Sequence, residues 1–391
     1  VINQTYYSIF KFDKGNITMT TLFVGGTFDA NGGKPSKVFE NFVDGYMEQA
    51  KEHNLYYNGG GLSLLYNVII SNRFHGVDTC IWCPNVSNSE NKLVQHLKIR
   101  NPRMLLITSK LNIDDEYSIG DVISHSLGCK ANLTVEIKKT YKGQYCGRLL
   151  DPLGNEFCEL TTDFRQIGRM SALRKVDLGL VIRKPSFSMG SVLGPSLSPP
   201  SACQKFIDIV RKSGERFSEL LPSSSENERF LGNASFRCGY GFPSIKYDNT
   251  IFVSRRDINK QKISLDEFIS VKLGDNGETL YQGDLKPSVD TPIQLRLYDY
   301  YGNIRYMLHG HTYVKDGIFT SHVIPCGGLQ EVDEIISVLP DKDVKFARIN
   351  LLGHGCFIMV DENNLDYIKN SVLYSRSSPE HQGDFTIPAM I

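Results

Sequence analysis

Three histidines near the C-terminus are the residues best placed to do chemistry. Two stand in Ile304-Arg-Tyr-Met-Leu-His309-Gly-His311, an apolar run with strand character. Residues at i and i+2 of a strand point to the same face, so both imidazoles face one way. Two imidazoles on one face chelate a divalent metal readily. The third, His354, ends another apolar run, Phe346-Ala-Arg-Ile-Asn-Leu-Leu-Gly-His354-Gly-Cys-Phe-Ile-Met. Three neutral imidazoles with an open fourth position make a catalytic ligand set rather than a structural one. His309, His311 and His354 are therefore the expected ligands of a divalent metal, with zinc the expected ion.

An ordered series of segments precedes and surrounds these histidines. It runs Gly232-Asn-Ala-Ser235, Thr250-Ile-Phe-Val-Ser254-Arg-Arg-Asp257, Pro287-Ser-Val-Asp290-Thr-Pro292, His309-Gly-His311, Ile324-Pro-Cys326 and Gly353-His354-Gly. In order and spacing this resembles the superfamily of class II aldolases, sugar-phosphate 4-epimerases and adducin heads. The resemblance covers roughly residues 205–375. It implies a metal-dependent lyase or epimerase acting on a sugar or phosphosugar-like substrate through a metal-stabilised enediolate. It also implies a homo-oligomer, in this family a ring-shaped tetramer. Asp290 stands at the family's acidic position, where aldolases carry Glu and epimerases Asp, and is the expected proton-transfer residue. An Asp before Thr-Pro is also a helix N-cap pattern, and the two roles are compatible.

The family surrounds its substrate phosphate with Asn and Ser of the Gly-Asn-x-Ser turn, a Ser-Gly pair and a Ser-Ser pair. Asn233 and Ser288 match. The other positions read Ser254-Arg255 and Val289, so a Gly that admits a phosphate is lost. Arg255 offers a guanidinium in its place. The substrate and phosphate set is thus Asn233, Ser254, Arg255 and Ser288. Tyr367 and Tyr374 are proton-donor candidates with nothing local to distinguish them from packing residues. A second class of function is a non-catalytic scaffold that keeps the aldolase-like shell for assembly, with a nucleotide-binding first half.

The elements that must position these groups follow from pattern. Leu22–Phe28, Asn54–Tyr57, Val77–Cys83 and Arg103–Thr108 read as strands. Ser36–Lys51, Leu62–Arg73 and Glu90–Ile99 read as helices between them. Such alternation predicts an α/β domain with a parallel sheet, Rossmann-like or flavodoxin-like, followed by a class II aldolase-like α/β domain. Ligands of such sheets bind at the carboxyl ends of strands. Gly25, Gly26, Thr27, Ser109 and Lys110 are expected there, around a nucleotide or flavin, although neither GxGxxG nor GxxxxGK[ST] occurs. The expected division is an N-terminal extension 1–18, the Rossmann-like domain 19–183, a Pro/Ser/Gly linker 184–201 and the aldolase-like domain 202–391. A helix over 202–221, with Phe206, Ile209, Val210, Phe217 and Leu220 on one side, opens the last.

Composition narrows the partners. Lys plus Arg and Asp plus Glu both number 43 in 391 residues, so the formal net charge is zero. No basic excess recommends nucleic acid or an anionic membrane surface. No apolar run reaches the length of a membrane helix, and Val1–Thr18 lacks a signal-peptide pattern. Nine cysteines, odd in number and scattered through apolar patterns, read as reduced thiols of a cytoplasmic protein. Cys80-Ile-Trp-Cys83 lies in a strand-like run, which is the wrong place for a thioredoxin-type pair. A small sugar-like molecule remains the expected partner.

Overall fold

The computed structural model describes residues 20–26, 36–50, 53–58, 77–84, 94, 96–98, 101, 104–112, 119–140, 142–183, 191–192, 194–195, 197–221, 231–239, 247, 249–324 and 326–375. The chain forms two units. One comprises Val1–Tyr117, Cys129–Leu150 and Glu156–Asp177. The other comprises Ser118–Gly128, Asp151–Asn155 and Leu178–Ile391. The expected extension 1–18 and helix Leu62–Arg73 lie outside the described residues, and of the helix expected over 90–99 only residues 94 and 96–98 are described, as helical.

The first unit is built on a seven-stranded sheet. Its strands are β1 (Thr20–Gly26), β2 (His53–Asn58), β3 (Thr79–Pro84), β4 (Leu105–Asn112), β5 (Leu133–Lys139), β6 (Tyr145–Leu150) and β7 (Glu156–Thr161). They stand in the order β2-β1-β3-β4-β5-β6-β7. The first five are parallel, and β6 and β7 add an antiparallel edge. The order 2-1-3-4-5 is the flavodoxin-like one, which decides between the two orders the sequence left open. Helix α1 (Lys37–Gln49) starts as its pattern predicts, with Ser36 Oγ accepting from Phe39 N at 3.3 Å. Leu22, Val24, Cys80, Trp82 and Leu106 join one apolar cluster with Val94 and Leu97, while Phe23 meets Tyr46 of α1 edge to face. In sequence, α2 (Ile119–Cys129), nearly all of it assigned to the second unit, falls between β4 and β5, and α3 (Phe164–Arg183) follows β7.

The second unit holds a nine-stranded sheet. Its strands are β8 (Ser191–Val192), β9 (Asn233–Arg237), β10 (Ile251–Ser254), β11 (Phe268–Leu273), β12 (Thr279–Tyr281), β13 (Tyr306–Gly310), β15 (Ile318–Phe319), β16 (Phe346–Leu351) and β17 (Gly355–Val360). The order is β15-β16-β17-β13-β9-β10-β11-β12-β8. It is antiparallel except for the short pairs β8 with β12 and β15 with β16. A separate pair joins β14 (Tyr313–Val314) to β18 (Leu373–Tyr374). Helices cover both faces. On one, α4 (Gln204–Leu220) packs Phe206, Ile207, Val210 and Phe217 against Ala234, Phe236, Leu308, Cys356 and Ile358, with the short α7 (Leu365–Lys369) beside it. On the other, α5 (Thr291–Tyr300) and α6 (Gln330–Val338) bring Ile293, Leu297, Val332 and Ile335 onto Met307, Ile349, Phe357 and Met359.

The Pro/Ser/Gly stretch expected as a linker is partly structured. Ser191 and Val192 pair with β12 at the sheet edge, Leu197 packs on the core under α4, and the Ser198 carbonyl accepts from Tyr247 Oη at 3.1 Å. A proline-rich segment suits a sheet edge, where a missing N–H is not needed. No helix among the described residues is long and apolar enough to cross a membrane.

Candidate metal centre

Strand β13 runs between β9 and β17 in the middle of the second sheet. Its register sets His309 opposite Asn233 on one side and Phe357 on the other. Directly opposed residues share a face, so Asn233 and His309 face the α5 and α6 side together. His311 lies just beyond the strand end, yet the alternation persists. Gly310 points the other way, and a Cβ there would stand 2.2 Å from Phe217 Cε1 of α4. The glycine of His-x-His is therefore required by packing on the opposite face.

The three imidazoles converge as the sequence predicts. Ring centroids are 5.2 Å apart for His309 and His311, 4.8 Å for His309 and His354, and 4.9 Å for His311 and His354. Their ligand nitrogens lie within 4.8 Å of one another. Two are held from behind. His309 Nδ1 donates to the Cys356 carbonyl at 2.9 Å, and His354 Nδ1 is 2.6 Å from Glu331 Oε1 of α6. Both rings are buried, and both Nε2 atoms have no hydrogen-bond partner. Buried polar atoms are nearly always paired, so two orphans facing one point call for a missing ligand. An imidazole with Nδ1 engaged by an acceptor presents its Nε2 lone pair to a metal. The donor set fits a divalent cation.

Electrostatics separate the two rings. Burial, with His354 alongside, pushes His309 down to about 4, so its ring is neutral at physiological pH. Burial opposes charge on His354 too, but Glu331 and Cys326 beside it outweigh that and raise it well above its ordinary value. Burial in turn raises Glu331, against the pull of His354. A cation entering the site takes the place of a proton on His354 Nε2, while Nδ1 keeps its bond to Glu331.

Asp290 stands at the N-cap of α5, but its side chain makes no capping bond. The carboxylate turns instead to the site. Oδ2 accepts from Asn233 Nδ2 at 2.8 Å and lies 3.8 Å from His309 Nε2. Oδ1 faces Cys326 Sγ at 3.6 Å. Asn233 Oδ1 in turn accepts from Gln294 Nε2.

The residues expected around a phosphate have partners within the protein. Both ends of the Asn233 amide are taken up in holding Asp290 and Gln294. Ser254 is fully buried, and its Oγ accepts from Ala234 N at 3.1 Å. Arg255 Nη2 pairs with Glu267 Oε1 at 2.9 Å. Ser288 joins the group through its backbone, donating to the Ser254 carbonyl at 3.1 Å. The four are neighbours around Asp290, as their motifs imply, but three have their side chains engaged within the protein. Tyr374 packs on Tyr313, and Tyr367 lies under the Arg348 guanidinium.

In the first unit, β1 does end in Gly25 and Gly26. A Cβ on Gly25 would stand 2.3 Å from Phe39 Cε1, so helix packing alone requires this glycine. Thr27 lies outside the described residues. Ser109 and Lys110 do not mark a strand end, because β4 continues to Asn112 and pairs them with Val135 and Glu136. The apolar run stops at Thr108, but hydrogen bonding to β5 carries the strand four residues on. Cys80 is buried in β3.

Sequence reasoning missed Glu331, Gln294 and the buried Lys260. Glu331 reaches His354 across 23 residues, from a helix face with no motif of its own. Gln294 follows Asp290 by one helical turn, a spacing that places both on one face and was readable.

Residues 216–319 match the model of the class II aldolase and adducin N-terminal domain family. The similarity to that family is thus confined to 104 residues within the second unit. That match takes in Asn233, Ser254, Ser288, Asp290, His309 and His311, and stops short of Glu331 and His354. YgbL from Klebsiella pneumoniae, a protein proposed to be an aldolase, epimerase or decarboxylase, aligns at 13% identity over 42% of this chain and 83% of its own, with a TM-score of 0.28. An aldolase II superfamily protein from Pseudomonas syringae aligns at 15% over 44% and 76%, with a TM-score of 0.29. A DNA/pantothenate metabolism flavoprotein from Streptococcus pneumoniae aligns at 12% over 42% and 99%, with a TM-score of 0.32. Among curated proteins no match to the chain is found.

Proposed function

We propose that the class II aldolase-type domain binds one divalent ion, zinc, on His309, His311 and His354, and cleaves or epimerises a sugar-like substrate. The observation that carries this reading is the pair of buried, unpartnered Nε2 atoms facing His311 within a class II aldolase-type domain. A divalent ion there supplies a Lewis acid for negative charge developing on a substrate carbonyl oxygen.

The protein's own groups do the rest. In a retro-aldol step the hydroxyl β to the carbonyl loses its proton, the Cα–Cβ bond breaks, and the electron pair moves to the carbonyl oxygen as an enediolate. Asp290 is the proton acceptor, held in place by Asn233 and, through it, Gln294. Re-addition to the other face of the aldehyde gives epimerisation, and departure of the aldehyde gives lysis. Because Asn233, Ser254 and Arg255 are engaged internally, we infer that the substrate presents hydroxyls rather than a phosphate at this end.

Elemental analysis of the purified chain tests the first step. About one zinc per chain is expected, lost in the His309→Ala/His311→Ala double variant. A screen of ketoses, ketose phosphates and nucleotide-linked ketoses for aldehyde release tests the second. A chain that binds zinc yet turns over none of them favours the scaffold reading. As in the resembled family, a homo-oligomer is proposed, for which light scattering gives the mass. For the first unit we propose a nucleotide or flavin at the carboxyl ends of β1 and β3; the absorbance spectrum of the protein as purified, read for a bound flavin, and a thermal shift with added nucleotides check it.

A further inference from the structure

Cys326 is the exposed cysteine among those described, while the others are buried. It lies in the turn just before α6, and its thiol donates to Asp290 Oδ1 at 3.6 Å. Asp290, Cys326 and His354 offer ligand atoms within 4.8 Å of one another, and the same bound holds for the three histidines. His354 belongs to both groups. Its Nδ1 is held by Glu331, so only the buried, unpartnered Nε2 faces a cation. One lone pair binds one ion. The two groups therefore describe a single metal position with Asp290 and Cys326 at its fourth side, rather than two ions. Of these, Asp290 already has Oδ2 bonded to Asn233. A thiolate beside imidazoles is a strong ligand for zinc-like ions.

We propose that Cys326 is a fourth protein ligand to the ion at the histidine triad in the resting protein, and that substrate displaces it. This rests on the metal reading above. On ligation the thiol would release its proton to solvent as the sulfur took the fourth position, and on displacement by a substrate oxygen the sulfur would regain a proton from solvent. Cys326 would in this way close the fourth position until substrate arrives.

The test uses the full chain loaded with cobalt(II), whose spectrum reports ligand type. The expected result is cobalt bound at the same ratio as zinc, visible d–d bands, and a near-ultraviolet sulfur-to-cobalt charge-transfer band. That band should be lost in both Cys326→Ser and Cys326→Ala, each still binding cobalt with native circular dichroism. Bound cobalt without the charge-transfer band, or a band that survives in both variants, overturns the role of Cys326 while leaving the triad intact. A wild-type chain that binds no cobalt overturns the metal reading and this proposal with it.

Discussion

Asp290 occupies a capping position without capping, and this separates its two readable roles. If the carboxylate served only α5, Asn would replace it with little loss, since Asn caps about as well. Turned toward Asn233 and the triad, it is expected to matter through its charge. Asp290→Asn should keep its melting temperature and bound metal while turnover falls about 10²–10⁴-fold. Unchanged turnover on a substrate from the screen would remove Asp290 from the chemistry. Glu331 acts one step back, through His354. Glu331→Gln weakens the acceptor behind the ring, and metal affinity should fall about 10–100-fold in a competitive chelator titration. An unchanged affinity would mean that packing alone orients His354.

At the scale of elements, the site depends on where one strand and one turn are held. Strand β13 is central, flanked on both sides, so His309 has little freedom. The Gly353-His354 turn has a different support. Gly353 N donates to Tyr313 Oη at 3.0 Å, and Asn155 Nδ2 donates to the same oxygen at 2.7 Å. Asn155 is fixed by Asp151, whose carboxylate accepts from Leu153 N, Asn155 N and Asn155 Nδ2. Residues 151–155 precede the Pro/Ser/Gly stretch in sequence yet belong to the second unit. Asn155→Ala would leave buried partners unsatisfied at a cost of about 1–3 kcal/mol. Urea denaturation should show that loss, with weaker metal binding accompanying it. Normal stability and normal affinity together would show that the turn is positioned without this network.

The whole molecule carries a buried charge that sets its response to pH. Lys260 is buried against α4, and burial pushes its pKa down to about 8 despite Asp257 and Asp290 nearby. Below that value the folded and unfolded chains both hold the proton, and the penalty of burying the charge is fully present. Above it the folded chain releases the proton first, while an unfolded lysine titrates near ~10.4. The unfolded state then binds more protons, so stability rises with pH across that window. Each pKa unit is worth about 1.4 kcal/mol. Lys260→Met should therefore be more stable than wild type at neutral pH, and the difference should close as pH approaches ~10. A difference that stays constant or grows would mean that the lysine carries no such penalty. The same scale bears on the halves. A cut within 184–201 leaves 151–155 and 118–128 on the other fragment from most of their unit. We expect the fragment from 202 onward to melt lower than the intact chain and to bind metal more weakly; equal values would restore the linker reading.

The sequence by itself determined what depends on periodicity, residue type and local order. Short apolar runs marked β1, β2, β3 and the start of β4, an i, i+3, i+4 pattern marked α1 and α4, and His-x-His placed two ligands on one face because strands repeat every two residues. The order of motifs was enough to bring Asn233, Ser254, Ser288 and Asp290 into one neighbourhood. Tertiary structure alone decided what each of those side chains is free to do. Asn233 is engaged because the β9–β13 register sets it beside His309 and under the start of α5, and no local pattern encodes a register between strands over seventy residues apart. Glu331 behind His354, Cys326 over Asp290 and the Asn155 support of Gly353 are contacts between distant segments. Their energy comes from desolvation and hydrogen-bond geometry, which exist only once the chain has closed around them.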